Sequence, residues 1–237
     1  MTYPILSNTP IKEIIFSISY DEIVDKGCFE NFIGIDFVRS KFKDIRPIVT
    51  KGFEFSNEEV KSHDDTNGFH LKSDNEVLQL RTGSFSYHYL NEYCDYDVVL
   101  NTIMEYWNAF YNISKDNLTV NGISVRYINL IEIDRDNPAS HLVQLYPKQS
   151  NDRSILSFQN SVSFKYLDRP QFTIHAVSTQ PNDNIVLLDI TVDKIIYKEE
   201  LDLKEEFKPL QEIKNKVFFD SITAKALIKY IKNVSYE

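Results

Sequence analysis

Apolar and polar residues alternate one by one through several segments of this chain, and a period of two is the signature of strands with one buried face. In IKEIIFSISYD, Ile14, Phe16, Ile18 and Tyr20 fall on one side, with Ser17 and Ser19 opposite. NIVLLDITVDKII repeats the pattern with Val186, Leu188, Ile190 and Val192. LTVNGISVRYINLIEI reads as a long strand from Val120 to Ile133, and SILSFQNSVSFKYL and QFTIHAVSTQ as two more. GFHLKSDNEVLQLRTGSFSYHYLN alternates across the turn signals SDN and TG, giving two or three antiparallel strands, and KGFEFS is a short one. The polar stretch NEEVKSHDDTNG reads as a mobile loop.

Three segments switch to the helical period. Phe29, Phe32, Ile33, Phe37, Phe42 and Ile45 recur at helical spacing, and Pro47 should stop that helix near Ile45. DYDVVLNTIMEYWNAFYNIS carries a stripe of Val99, Ile103, Tyr106, Trp107 and Phe110, with Asp95 or Asp97 as cap. DLKEEFKPLQEIKNKVFFDSITAKALIKYI carries Leu203, Phe207, Leu210, Ile213 and Val217. There Asp202 and Glu205 resemble a capping box, Pro209 argues for a kink or a later start, and Ser221 caps a last short helix. DNPASHLVQLYP reads as a short helix between strands.

Set side by side, the halves share an order of strand, helix, antiparallel strands and long helix. The expected fold class is α+β: two similar repeats over residues 1–117 and 118–237, or one continuous domain built from them. The arrangement is similar to tandem folds such as the TATA-box-binding protein and to helix-grip folds, an analogy of fold without function.

Composition narrows the class of function. The 237 residues are 42% hydrophobic, too apolar for a disordered chain, and no run approaches the length of a membrane span. The N-terminus lacks the marks of a secretory signal, and two cysteines make no disulfide scaffold, so a cytoplasmic location is expected. A net charge of −9 opposes binding to nucleic acid or anionic lipid. Basic residues still crowd locally at Arg39, Lys41, Lys43, Arg46 and Lys51, and Lys204, Lys208, Lys214, Lys216, Lys225, Lys229 and Lys232 punctuate the C-terminus. Both sets read first as solvated faces and second as an anion or nucleic-acid patch, nucleic acid being possible but disfavoured by the net charge.

Chemical motifs are sparse. His63, His70, His88, His141 and His175 show no zinc spacing, so no metal is expected, and only His70 with His88 could approach across neighbouring strands. Neither a glycine-rich phosphate loop nor a nucleophile elbow is present, and no cofactor is expected. Acidic neighbours Asp95 and Asp97 make Cys94 an inert thiol. Glu132, Asp134 and Asp136 end one strand, and Asp189 and Asp193 share a face of another, the raw material of a metal-dependent nuclease without its acidic-x-Lys partner. Phe85, Tyr87, Tyr89 and Tyr93 are dense at one strand end, with Tyr127, Phe164 and Tyr166 elsewhere, and an open sheet face could stack ligands on such rings.

PIKEIIFSI, LQLRTGSFSYHY, GISVRYINLIEI, VLLDITV and KNKVFFDSITAKAL stand in an order that resembles a sporadically distributed, uncharacterised bacterial family whose hallmark is an Arg-Tyr-Ile-Asn (RYIN) strand. One departure is Gln211-Glu212-Ile213, which stands where the family pattern carries an acidic residue with a His. The resemblance implies no activity, and the family's patchy occurrence implies mobile-element or phage-defence neighbourhoods. Read physically, Arg126 and Asn129 alternate to opposite faces of a strand. They serve either a buried polar network or an anionic ligand, with Tyr127 as a stacking wall.

The leading expectation is a non-catalytic binding or adaptor subunit with a protein partner encoded nearby, in a phage-defence or mobile-element system. A second is a small-molecule or nucleotide-ligand binder with a pocket near Arg126, drawing on Tyr127, Asn129, Tyr87 and Tyr89. A third is a metal-dependent nuclease. No membrane partner is expected, and an oligomer is open.

Overall fold

The computed structural model describes residues 3–4, 6–21, 26–55, 60–90, 95–114, 118–133, 159–182, 184–197 and 202–231. The expected α+β pair of repeats is corrected by it. The described residues form one large antiparallel sheet of nine strands with few helices, a predominantly β architecture. In chain order the elements are β1 Ile11–Tyr20, α1 Gly27–Ile33, α2 Asp36–Lys41, β2 Asp44–Phe55, β3 Val60–Lys72, β4 Glu76–Arg81, β5 Ser84–Tyr89 and α3 Tyr96–Ser114. They continue with β6 Val120–Glu132, β7 Gln159–Lys165, β8 Phe172–Asn182, β9 Ile185–Ile195, α4 Leu203–Ser221 and α5 Ala224–Leu227. The strand order is β2-β3-β4-β5-β1-β6-β9-β8-β7.

Much of the added β content comes from one hairpin. The helix expected from Cys28 to Ile45 breaks at Gly34 into two short helices, and the chain enters β2 already at Asp44. Residues 60–67, expected as loop, pair with β2 from Phe55↔Val60 to Val49↔Thr66. Backbone hydrogen bonds to a neighbouring strand override a weak local preference, because β propensity depends on context. A bulge between Ile48 and Val49 interrupts the ladder. Beside it Gly68 takes φ +149°, and a Cβ there would lie 1.9 Å from the Leu80 carbonyl oxygen.

The chain divides into two compact units. One comprises Ile15–Ile123 with Ile196–Glu200. Its strands turn Phe16, Leu71, Leu78, Leu80, Phe85 and Tyr87 toward its helices, all nearly inaccessible to solvent. Phe110 of α3 sits among rings, stacked on Phe29 at 6.0 Å and edge-on to Phe32 at 5.6 Å. Asp95 accepts from the Asp97 amide and caps α3, as the spacing predicts.

The other unit comprises Met1–Ile14, Ser124–Ile195 and Leu201–Glu237. Here Val125, Tyr127, Ile131, Ile174, Ala176, Val186, Leu188, Ile190 and Val192 make one apolar face. Helix α4 packs on β9 of that face through Leu203, Phe207, Leu210 and Val217. Asp202 caps α4 by accepting from the Lys204 and Glu205 amides, and the helix runs through Pro209 without ending. Ser221 closes α4 by donating to the Val217 carbonyl, so Thr223, not Ser221, caps α5. The helix expected over DNPASHLVQLYP, the side chain of His63, and Tyr93, Cys94, Asp134, Asp136 and His141 lie outside the described residues.

Candidate functional site

The RYIN residues occupy the middle of β6, and strand geometry sends them to two faces. Arg126 points outward and forks onto Asp189 of β9: Nε lies 2.9 Å from Oδ1 and Nη2 lies 2.6 Å from Oδ2. Arg126 remains 45% exposed, whereas Asp189 is 13% exposed. The carboxylate hydrogen bonds hold the guanidinium firmly in its charged form, and Glu13 adds to the effect. Tyr127 and Asn129 face inward. Asn129 is buried, and its amide donates to the carbonyls of Leu188 at 3.0 Å and Tyr127 at 3.3 Å. A buried amide satisfied in this way ties β6 to β9.

Tyr127 therefore does not wall a pocket beside Arg126. Its ring lies instead beneath Lys214 of α4, whose Nζ is 3.7 Å from the ring centroid. Lys214 is only 7% exposed and donates to Asn215 Oδ1 at 2.7 Å. Burial pushes its ammonium down to about 7, because charge is disfavoured away from water. The sequence carries a sign of this burial that a reading of the lysines as solvated passes over. Lys214 falls four residues after Leu210 and seven after Phe207, in phase with the apolar stripe of α4.

The outward face of the same unit is polar. His175 of β8 stands between Ser163 of β7, 2.7 Å from Oγ to Nδ1, and Asp193 of β9, 3.5 Å from Nε2 to Oδ2. Burial raises the Asp193 carboxyl, and the His175 charge opposes that rise. All three side chains stand on neighbouring strands at the sheet surface and form a cross-strand polar ladder. Asp189 and Asp193 are thus each engaged by a separate basic group. Among the described residues no three His, Cys, Asp or Glu gather as a metal site.

Tyr87 and Tyr89 belong to the other compact unit, on β5. Tyr87 is buried against Tyr106 at 5.8 Å between ring centroids. Burial first, then the neighbouring Glu76, pushes both phenols far up. Glu76 is 8% exposed and pairs with Lys41 at 2.8 Å. Tyr87 is thus a core residue with a polar tip, and Tyr89, half-buried, stands opposite Glu76 in the register. His70 and His88 fall on one face, separated by β4, and burial first and His88 second hold the His70 imidazole below its ordinary value.

Among the described residues no helix is long and apolar enough to cross a membrane. No family model matches the chain. No curated protein matches it either. Among solved structures, the chain aligns with StfQ, a di-domain ARO/CYC from the steffimycin biosynthetic pathway, at 8% identity over 86% of this chain and 94% of that one. The TM-score of 0.18 is too low to carry an argument.

Proposed function

We propose that this protein is a non-catalytic binding or adaptor subunit that takes an extended segment of a protein partner along the edge of β7. The observation that supports this reading is the contrast between the two terminal strands of the sheet order. β2 carries the usual defences of an edge: Pro47 inside the strand, a bulge at Ile48/Val49, and the charges of Asp44, Arg46 and Lys51. β7 has neither proline nor bulge, and Lys165 at its end is its one charge. Among the described residues it pairs with β8 alone. Val162 is 46% exposed and Phe164 38%, on the side shared with Ile174 and Ala176.

Such an edge offers main-chain partners for one added strand and apolar seats for its alternate side chains. Lys165 and the nearby Arg169 favour a partner segment with an acidic residue at that end. In this reading the protein serves as the recognition subunit of a phage-defence or mobile-element system, the setting that the RYIN resemblance implies.

The test compares wild-type bait with the Val162→Lys/Phe164→Lys variant of equal melting temperature. One protein held by wild type and lost from the variant, with slowed amide exchange over 159–165 in the complex, supports the reading. Identical capture by both baits overturns it. So does self-association of the purified chain through β7, since a second copy is then the occupant.

A further inference from the structure

Arg46 of the basic segment and the histidine pair of the sequence share one sheet face with Lys72. In the unit built on Ile15–Ile123, the strands turn their apolar residues toward α3, and the opposite face carries the other half of each alternation. Register aligns Arg46, His70, Gln79 and Ser86 in one row across β2, β3, β4 and β5. The adjacent row, two residues along, aligns Asp44, Lys72, Val77 and His88. Neighbouring strands lie about 4.8 Å apart and the rows about 7 Å apart, so the groups border a patch some two strands wide. Val77, 7% exposed, and Gln79 form its floor. Ser86 closes the far side through a 2.9 Å hydroxyl contact with Ser17 of β1.

The charges on this patch are unbalanced. Among the described residues of these two rows, Arg46, Lys72 and two imidazoles stand with one carboxylate, Asp44, both of whose oxygens accept from Arg46 at 2.8 Å. His70 registers the imbalance. Its imidazole is held below its ordinary value by burial first and by His88 second; Asp44 opposes this, and Arg46 and Lys72 add to it. Each cationic neighbour therefore disfavours a further positive charge, a repulsion that a bound anion relieves.

We propose that this face, between His70, Lys72, Gln79 and His88, is a binding site for a phosphate group, taken as inorganic phosphate or as a phosphate monoester. The ammonium and imidazoles supply charge-assisted donors, and the Gln79 amide supplies a neutral one. The protein's net charge of −9 opposes a polyanion but not a single compact anion steered to a local cationic patch. Protonation of the His70 imidazole as pH falls gives the site a second N–H donor on that ring.

The experiment titrates the full chain with inorganic phosphate at constant ionic strength and follows the imidazole NMR signals, with chloride as the control. His70 and His88 are expected to shift saturably, His175 to stay still, and the His70 midpoint to rise with phosphate. Lys72→Gln, at an exposed position, should leave melting unchanged and weaken binding about tenfold, the value of one lost charge-assisted hydrogen bond. A parallel titration with AMP distinguishes the sources: tighter binding than phosphate marks the monoester, and equal binding marks the free ion. Imidazole responses no larger than with chloride overturn the proposal, as does undiminished affinity in Lys72→Gln. Preferential binding of a single-stranded oligonucleotide with a steep salt dependence also overturns it, since that describes an extended nucleic-acid surface.

Discussion

The Arg126 guanidinium closes a bidentate ion pair on Asp189, joining β6 to β9 on the outer face of the sheet. A fork of this kind uses the planar geometry that lysine lacks. Arg126→Ala and Asp189→Ala should each lower the melting temperature, and a double-mutant cycle should return a coupling of about 1 kcal/mol. Arg126→Lys should recover little of it. Unchanged melting in Arg126→Ala would instead mark the guanidinium as a ligand clamp.

Lys214 carries a folding cost that depends on pH. Its folded pKa of about 7 lies below the ordinary 10.5, so the unfolded chain binds the extra proton between those values. The penalty is full below pH 7 and fades as pH rises toward 10.5. Lys214→Met keeps the volume and removes the charge. It should stabilise the protein at pH 6–7 by about 1–3 kcal/mol, net of the lost contact with the Tyr127 ring. The gain should shrink steadily in melts at pH 8, 9 and 10.

Gly68 has no room for a side chain. Its φ of +149° and the 1.9 Å approach to the Leu80 carbonyl leave no space for a methyl group. Gly68→Ala should cost more than about 3 kcal/mol, seen as a lower urea midpoint, and should shift the β2–β3 ladder near the bulge.

His70 should make the protein acid-sensitive. Its folded pKa lies below its unfolded one, so the unfolded state takes up the proton first as pH falls through 6.5. Stability is therefore lost on the acid side of that value. His70→Gln should flatten the loss between pH 7 and 5 in denaturant titrations, and added phosphate should flatten it in the wild type.

Phe110 contacts rings from α1, β5 and its own helix. Phe110→Ala should cost about 3–5 kcal/mol, the range for deleting a fully buried ring. Calorimetry would check it, with Tyr111→Ala, at a 38% exposed position, as a near-neutral control.

Several elements are legible in the amino-acid pattern alone. β9, β6, α3 and the Asp202 cap lie where the periodicity and capping residues predict. β2 from Lys51 to Phe55 and β3 from Gly68 to Lys72 lie where strands are expected, but Asp44–Thr50 and residues 60–67 are polar or mixed, and their strand state comes from pairing with each other. Lys214 reads as one more solvated lysine for as long as its residue type outweighs its phase on α4. Of the candidate site residues, Arg126, Tyr127 and Asn129 share β6 but divide between its faces, and Tyr87 is packed in a core.

Local pattern decided which side of each strand and helix would be buried, since a period of two or 3.6 is a property of consecutive residues. It could not decide which strands would lie side by side. That choice brings Asp189 to Arg126, sets Lys214 over Tyr127, and places Lys72 and His88 on the same face as His70. Pairing and register follow from the packing of residues far apart in the chain, and the charge of each cluster exists only once those partners have met.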